Sequence, residues 1–302
     1  MRTGRVVAVA IAAAVLVGCQ GGGGTTGGGT AADGPPAGGT AAGGPAQTRS
    51  SEVQGPEEAL KAAAEVMRKA GNGTFTLAAP TGHGLAPGAG GLAWSGADAA
   101  IEYTADTPDT RLRTRVVGAE AYVGLTEPTA ATAPPGPRWY KVGDVPWRAS
   151  PSNAVMLLLS RVMNPVAQLD AARTAGASPG AVETVDGERL TRYRVVEEAK
   201  TVLATIPGLD QGDEPGHRTT GFRNALQRSG SLTVDLWLND RQELVRYRAY
   251  GEKEGPDQAI VVRYANLGGG PALAAPPQGE TGRLADMMEL IPDTRTPGPS
   301  NP

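Results

Sequence analysis

The chain has 302 residues, with 28 Lys+Arg against 31 Asp+Glu and a formal net charge of -3. With neither a basic excess nor a basic stripe, the charge pattern excludes nucleic acid as a partner. The 43 glycines and 25 prolines are unevenly placed, so the folded part is shorter than the chain, and with aromatics at 4% its core must rest on Ala, Val and Leu.

The first residues, Met1-Arg2-Thr3-Gly4-Arg5, are followed by an apolar run from Val6 to Val17 and by Gly18. A basic start, about a dozen apolar residues and a small residue at the cut define an export signal over residues 1–18, too short for a membrane span, which needs about 20. The tetrapeptide Leu16-Val17-Gly18-Cys19 resembles the lipobox of bacterial lipoproteins. That resemblance implies cleavage between Gly18 and Cys19, a diacylglycerol on the Cys19 thiol, and anchoring on the extracytoplasmic face of the plasma membrane. Two acyl chains hold a protein stably there, whereas one is marginal. Cys19 is the one cysteine of the chain, so no disulfide supports the fold.

Residues 19–52 are mostly Gly, Thr, Ala and Pro with almost no apolar side chain larger than alanine, which predicts a disordered tether spanning about 30–35 Å. A single domain is expected over residues 53–278 and a mostly disordered tail over 279–302. The domain opens with a helix between Pro56 and Gly71. Glu57 and Glu58 complement its positive end, and Leu60, Ala63, Met67 and Ala70 form a narrow apolar face suited to packing on a sheet. Strands follow at 74–79, 91–95, 99–105, 111–117, 121–125 and 138–142. Arg111, Arg113 and Arg115 alternate with Leu112, Thr114 and Val116, giving either a solvated strand face or a docking surface for anionic headgroups.

Ser152 can cap a helical segment at 153–163, broken by Asn164-Pro165, with a second helix at 166–173 ending near Gly176. Strands return at 181–185 and 189–197, joined by Asp186-Gly187, a strong hairpin dipeptide. The next connection holds two short helix-like stretches, 201–205 and 219–227. The last hairpin pairs 231–238 with 243–250, a final strand covers 258–266, and 271–277 adds an edge strand. Hairpin-connected strands, then helices, then strands predict an α+β fold with an antiparallel sheet. Leu232, Val234, Leu236 and Leu238 make one oily face, against mixed or polar Thr233, Asp235, Trp237 and Asn239.

Catalytic constellations are missing from the sequence. The two histidines, His83 and His217, sit in loops without an HExxH motif, Gly82-His83-Gly84 lacks the GxGxxG arrangement opening a helix, no GxxxxGK[ST] occurs, and the surroundings of Ser95 are not GxSxG. Glu57-Glu58 and Glu197-Glu198 have plain readings as a dipole complement and a solvated strand end. No metal, no cofactor and no enzymatic activity are expected.

Several short patterns taken in order resemble a known family. The lipobox, a helix ahead of a large sheet, Trp139-Tyr140-Lys141-Val142, a helical stretch before Val185-Asp186-Gly187, Thr191-Arg192-Tyr193, Val234-Asp235-Leu236-Trp237-Leu238 and Ala275-Pro276-Pro277 are similar to the actinobacterial LppX/LprG lipoproteins. The resemblance covers most of 53–278 and departs at 126–137 and 210–217. It implies a LolA-like fold, a curved antiparallel sheet (half-barrel) wrapped around a few helices. It also implies an apolar cavity that takes the acyl chains of a lipid or lipoglycan for transport or chaperoning in the cell envelope.

The helical segment of Val155 to Met163 is apolar nearly all round, so Leu157, Leu158 and Val162 are candidates for the cavity wall or for an ordinary core. From the strands, Val123, Tyr193, Val234 and Leu236 join them. One long acyl chain, at about 0.8 kcal/mol per methylene, gives on the order of 10 kcal/mol before ordering costs, so an apolar pocket suffices for binding. The second reading is a non-enzymatic module of the same fold with a filled core, presenting its outer face to an envelope protein partner or sensing envelope stress.

Overall fold

Gly55-Pro56 starts the first helix, α1 (Pro56–Ala70), with Glu57 and Glu58 in the first turn and Arg68 and Lys69 in the last. Gly71 ends it in the left-handed region, φ 69°, its N–H donating to Met67 O at 3.1 Å. In the computed structural model the described residues are 55–79, 87–95, 98–106, 112–118, 120–132, 135–142, 163–198, 230–284 and 286. The expectations for the signal, the tether, the 153–163 helix with Leu157, Leu158 and Val162, and the stretches at 201–205 and 219–227 lie outside them.

Strands β1 (Asn72–Ala78), β2 (Gly88–Ser95), β3 (Asp98–Ala105), β4 (Leu112–Val117) and β5 (Glu120–Leu125) form an antiparallel meander. A short helix, α2 (Glu127–Thr132), and β6 (Trp139–Lys141) follow, with β6 on β5. After α3 (Pro165–Ala175) come β7 (Ser178–Val185), β8 (Glu188–Glu198), β9 (Ser231–Leu238), β10 (Leu244–Gly251) and β11 (Ile260–Ala265). β11 returns to pair with β1 and β12 (Thr281–Arg283) closes the far edge, so the two halves fuse into one 12-stranded sheet of order β12-β6-β5-β4-β3-β2-β1-β11-β10-β9-β8-β7. The fold is α+β, with a large, mostly antiparallel sheet and, among the described residues, two long helices on one face.

Local chemistry explains the joints. Asp186 (φ 53°) and Gly187 (φ 85°) make the β7–β8 turn with both central residues left-handed, as the dipeptide predicts. Asn164 caps α3, its Oδ1 accepting from Val166 N–H at 3.1 Å and Ala167 N–H at 3.3 Å, so the break read at Asn164-Pro165 is the start of a helix. α1 packs on α3 as well as on the sheet, and Trp94 Nε1–H donates to Met67 O at 2.6 Å, tying α1 to β2.

Two expectations are corrected. Residues 271–277 form no strand, because three of them are prolines without an N–H to give a ladder. They strap the outer face instead, with Pro271 and Leu273 over Gly91 and Ala274 O accepting from Arg115 Nη1 at 3.0 Å. The edge strand lies later, at β12 (Thr281–Arg283), parallel to β6, so the folded part runs past residue 278. The insert at 126–137 contains α2, with Glu127 in its first turn.

Candidate functional site

Side chains alternate across a strand, and paired residues of neighbouring strands share a face. One cross-sheet row runs Tyr193, Leu236, Tyr247, Val262, Leu77, Gly88. A second runs Tyr264, Phe75, Gly90, Tyr103, Thr114, Val123, Tyr140. Both rows face α1 and α3, because their buried members other than Tyr140 share one core with Leu60, Met67 and Leu169. Gly90 has no room for a Cβ against the Glu102 backbone and Phe75, which leaves the Phe75 and Tyr103 rings stacked at 6.3 Å on either side of it.

Of the strand residues singled out by sequence, Tyr193, Val234 and Leu236 come together on this inner face, at 8%, 2% and 0% exposure. Val123 shares the face but is half-buried in a separate cluster with Leu125, Tyr140, Leu112, Ala130 and Leu284.

Sequence reasoning missed the polar groups among these apolar side chains. Tyr247, Tyr264 and Tyr140 have hydroxyls, and Glu197 has an Oε2, that are buried without a hydrogen-bond partner. Glu197 is no solvated strand end: it points inward opposite Leu232 and is 9% exposed, while Glu198 is exposed. Burial pushes its carboxyl up to about 6. Burial also raises the Tyr247 hydroxyl, with smaller contributions from Tyr264 and Glu197, and raises that of Tyr264. Each such unpaired group costs about 1–3 kcal/mol. The period-2 phase of Tyr247 with Ala249 and of Tyr264 with Val262 was the available signal.

The outer face is equally ordered, and the expectation of a mixed, wet face on β9 is corrected: every residue of Leu232 to Leu238 is buried. Trp237 lies under Arg246 and Arg248, with guanidinium carbons 5.0 and 5.1 Å from its ring centroid. Asp235, wholly buried, accepts from Arg194 and Arg248 in paired bonds of 2.6–3.1 Å. In the other half Arg113 and Arg115 cover Trp139 at 4.5 and 4.3 Å and both pair with Glu102. That row is therefore neither freely solvated nor an open anion surface: its charges are spent on Trp139 and Glu102, and their side chains are only 21% and 19% exposed. Arg111 lies outside the described residues.

Among the described residues no group of three His, Cys, Asp or Glu side chains is placed to hold a metal, and no helix is long and apolar enough to cross a membrane.

The class these observations define is an α+β protein with a large antiparallel sheet, one face covered by helices and lined by apolar and tyrosine side chains. Two solved structures match it over most of the chain at low identity. LprF from Mycobacterium bovis has 12% identity and a TM-score of 0.41, over 74% of this chain and 96% of its own. The lipoprotein LppX from Mycobacterium tuberculosis has 11% identity and a TM-score of 0.41, over 73% of this chain and 98% of its own. No family profile matches the sequence, and no curated protein is similar to it in sequence.

Proposed function

We propose that this chain is a membrane-anchored lipoprotein that buries the acyl chains of a lipid or lipoglycan against the inner face of its sheet, for transport or chaperoning in the cell envelope. The observation that carries the reading is the make-up of that face, where aliphatic and aromatic side chains from both halves of the sheet line continuous rows. Such a surface binds acyl chains by area alone and requires no catalytic group or cofactor. Tyr193, Val234 and Leu236 supply wall from the strands, Val123 extends it, and Leu157, Leu158 and Val162 are its helical side. The lipobox-like segment supports an anchor at Cys19 after cleavage behind Gly18.

The test is native mass spectrometry of residues 20–302, made in a bacterial host, purified without detergent and extracted with organic solvent. Stoichiometric lipid, lost in Leu236→Asp and Leu158→Arg variants that still fold, is the expected result. A bare protein mass with no uptake of added phospholipid overturns the reading and favours the filled-core interaction module. For the anchor, an alkyne analogue of palmitate should label the full chain in cells, and Cys19→Ser should abolish the label.

A further inference from the structure

The two ends of the sheet are finished differently. At one end β12 is three residues long, and a very short strand is one way proteins blunt an edge. At the other end β7 runs for eight residues, and Ser178 to Val182 are all exposed, with Val182 at 56%. Its defences sit at its start, where Pro179 and a register shift between Ser178 and Ala181 interrupt the ladder. From Ala181 to Val185 the pairing with β8 is regular.

The turn fixes which backbone groups of that stretch face outward. Asp186-Gly187 is a two-residue loop, so Val185 and Glu188 close it as a hydrogen-bonded pair, and bonded and non-bonded pairs alternate from there. Val185, Glu183 and Ala181 therefore bond to β8, whereas the N–H and C=O of Thr184 and Val182 point away from it. The one charged side chain between Gly180 and Val185 is Glu183, and its carboxylate already holds Trp237 Nε1–H at 3.1 Å and Arg192 at 2.8 Å.

We infer that β7 pairs antiparallel with β7 of a second copy of this chain, about a two-fold axis at Val182. That register makes Val182 and its counterpart a hydrogen-bonded pair, sets Thr184 against the second copy's Gly180 and puts Glu183 opposite Ala181. An axis at Glu183 would set that carboxylate against itself, and an axis at Thr184 would run the pairing into the Asp186-Gly187 turn. Val182 stands opposite Thr191, in the inner-face phase of Tyr193, so the inner faces of the two copies lie on one side of the joined sheet. A seam of one edge strand is small beside the roughly 1,600 Å² of a standard interface, so the pair is transient and is best trapped in cells. The inference is independent of what the inner face binds.

The experiment uses the full chain, co-expressed in bacteria as two differently tagged copies, each with a diazirine amino acid in place of exposed Ala181. Light is expected to join the two tags. Val182→Lys in both copies, or Val182→Glu in both, sets like charges face to face and is expected to lower the yield about fivefold, and one copy of each is expected to restore it. Val182→Pro removes an outward N–H from each copy, leaves the bonds to β8 in place and is expected to lower the yield about tenfold. A diazirine at Val196, 60% exposed on the outer face of β8 and away from the seam, is expected to join nothing. Failure to join the tags from Ala181, or equal joining from Val196, overturns the inference. So does an undiminished yield with Val182→Pro, a Lys with Glu combination no better than Lys with Lys, or light joining Ala181 only to a different protein.

Discussion

The two halves of the sheet carry the same device on their outer face, a tryptophan covered by two arginines beside a carboxylate, but build it to different depths. Around Trp237 the carboxylate is Asp235, with 0% side-chain exposure, held by Arg194 and Arg248 with Arg192 at 3.9 Å. Around Trp139 it is Glu102, 20% exposed, held by Arg113 and Arg115. The first cluster is closed by its own arginines, whereas the second lies under the strap of residues 271–277 through Arg115 and Ala274. One register row joins them, from Arg192 and Trp237 through Arg246, Arg263 and Thr76 to Arg113, Gly124 and Trp139. Arginine stems and indole rings thus cover the outer side of a sheet whose inner side holds the oily residues.

The sharpest way to break the comparison is to remove the two carboxylates. Asp235→Ala leaves several guanidinium groups close together around a buried gap and should cost about 3–5 kcal/mol. Glu102→Ala, partly exposed, should cost about 1 kcal/mol. Urea unfolding of the two variants against the parent measures both, and equal losses would show that the depth of burial does not separate the clusters. The inner face should show the same asymmetry. Leu236→Ala, at 0% exposure, should cost about 3 kcal/mol, and half-buried Val123→Ala about 1 kcal/mol.

Glu197 sharpens the contrast through pH. It is a carboxyl without an ion-pair partner among the described residues, held up to about 6 by burial, whereas Asp235 sits among arginines. Because its folded pKa lies above the ordinary 4.5, the folded state holds its proton more tightly. Its favourable contribution is present below about pH 4.5, is lost as pH rises through about 6, and stays lost above that. Glu197→Gln should therefore be more stable than the parent by about 2 kcal/mol at pH 8 and equal to it near pH 4. Denaturation at the two pH values tests this, and a constant difference would remove burial as the cause.

Much of this arrangement was legible in the sequence where local chemistry decides it. The Asp186-Gly187 turn, the Gly71 cap and the strand Ser231–Leu238 follow from residues close in sequence. Alternation also put Val234 and Leu236 on one face, and Tyr193 stands opposite Leu236. What was not legible depends on non-local partners. β12 is three residues with no alternation, and it is a strand because β6 lies beside it. Asp235 reads as a wet residue until arginines of β8 and β10 close over it, and Glu197 reads as solvated until its phase in β8 is fixed. Residues 271–277 have the spacing of an edge strand, yet three prolines and the open backbone at Gly91 make them a strap.

That strap supplies the most local expected effect. A Cβ at Gly91 would overlap the Pro271 ring; just ahead of the strap, Gly268 N–H donates to Asn72 O at 2.8 Å and Gly270 N–H to Asn72 Oδ1 at 2.7 Å, and within it Ala274 O accepts from Arg115 Nη1 and Pro277 O from Glu280 N–H and Thr281 Oγ1. Gly91→Ala must therefore lift the strap rather than disturb the β1–β2 pairing, at a cost near the low end of overpacking, about 1 kcal/mol. Because β12 hangs from the strap's far end, the lift should speed amide exchange at β6 and β12. It should leave β9 and β10 unchanged, since the Trp237 cluster has no strap to lose. Hydrogen exchange read by mass spectrometry separates the outcomes, and faster exchange spread evenly over both halves would show that the two clusters are coupled through the row that joins them.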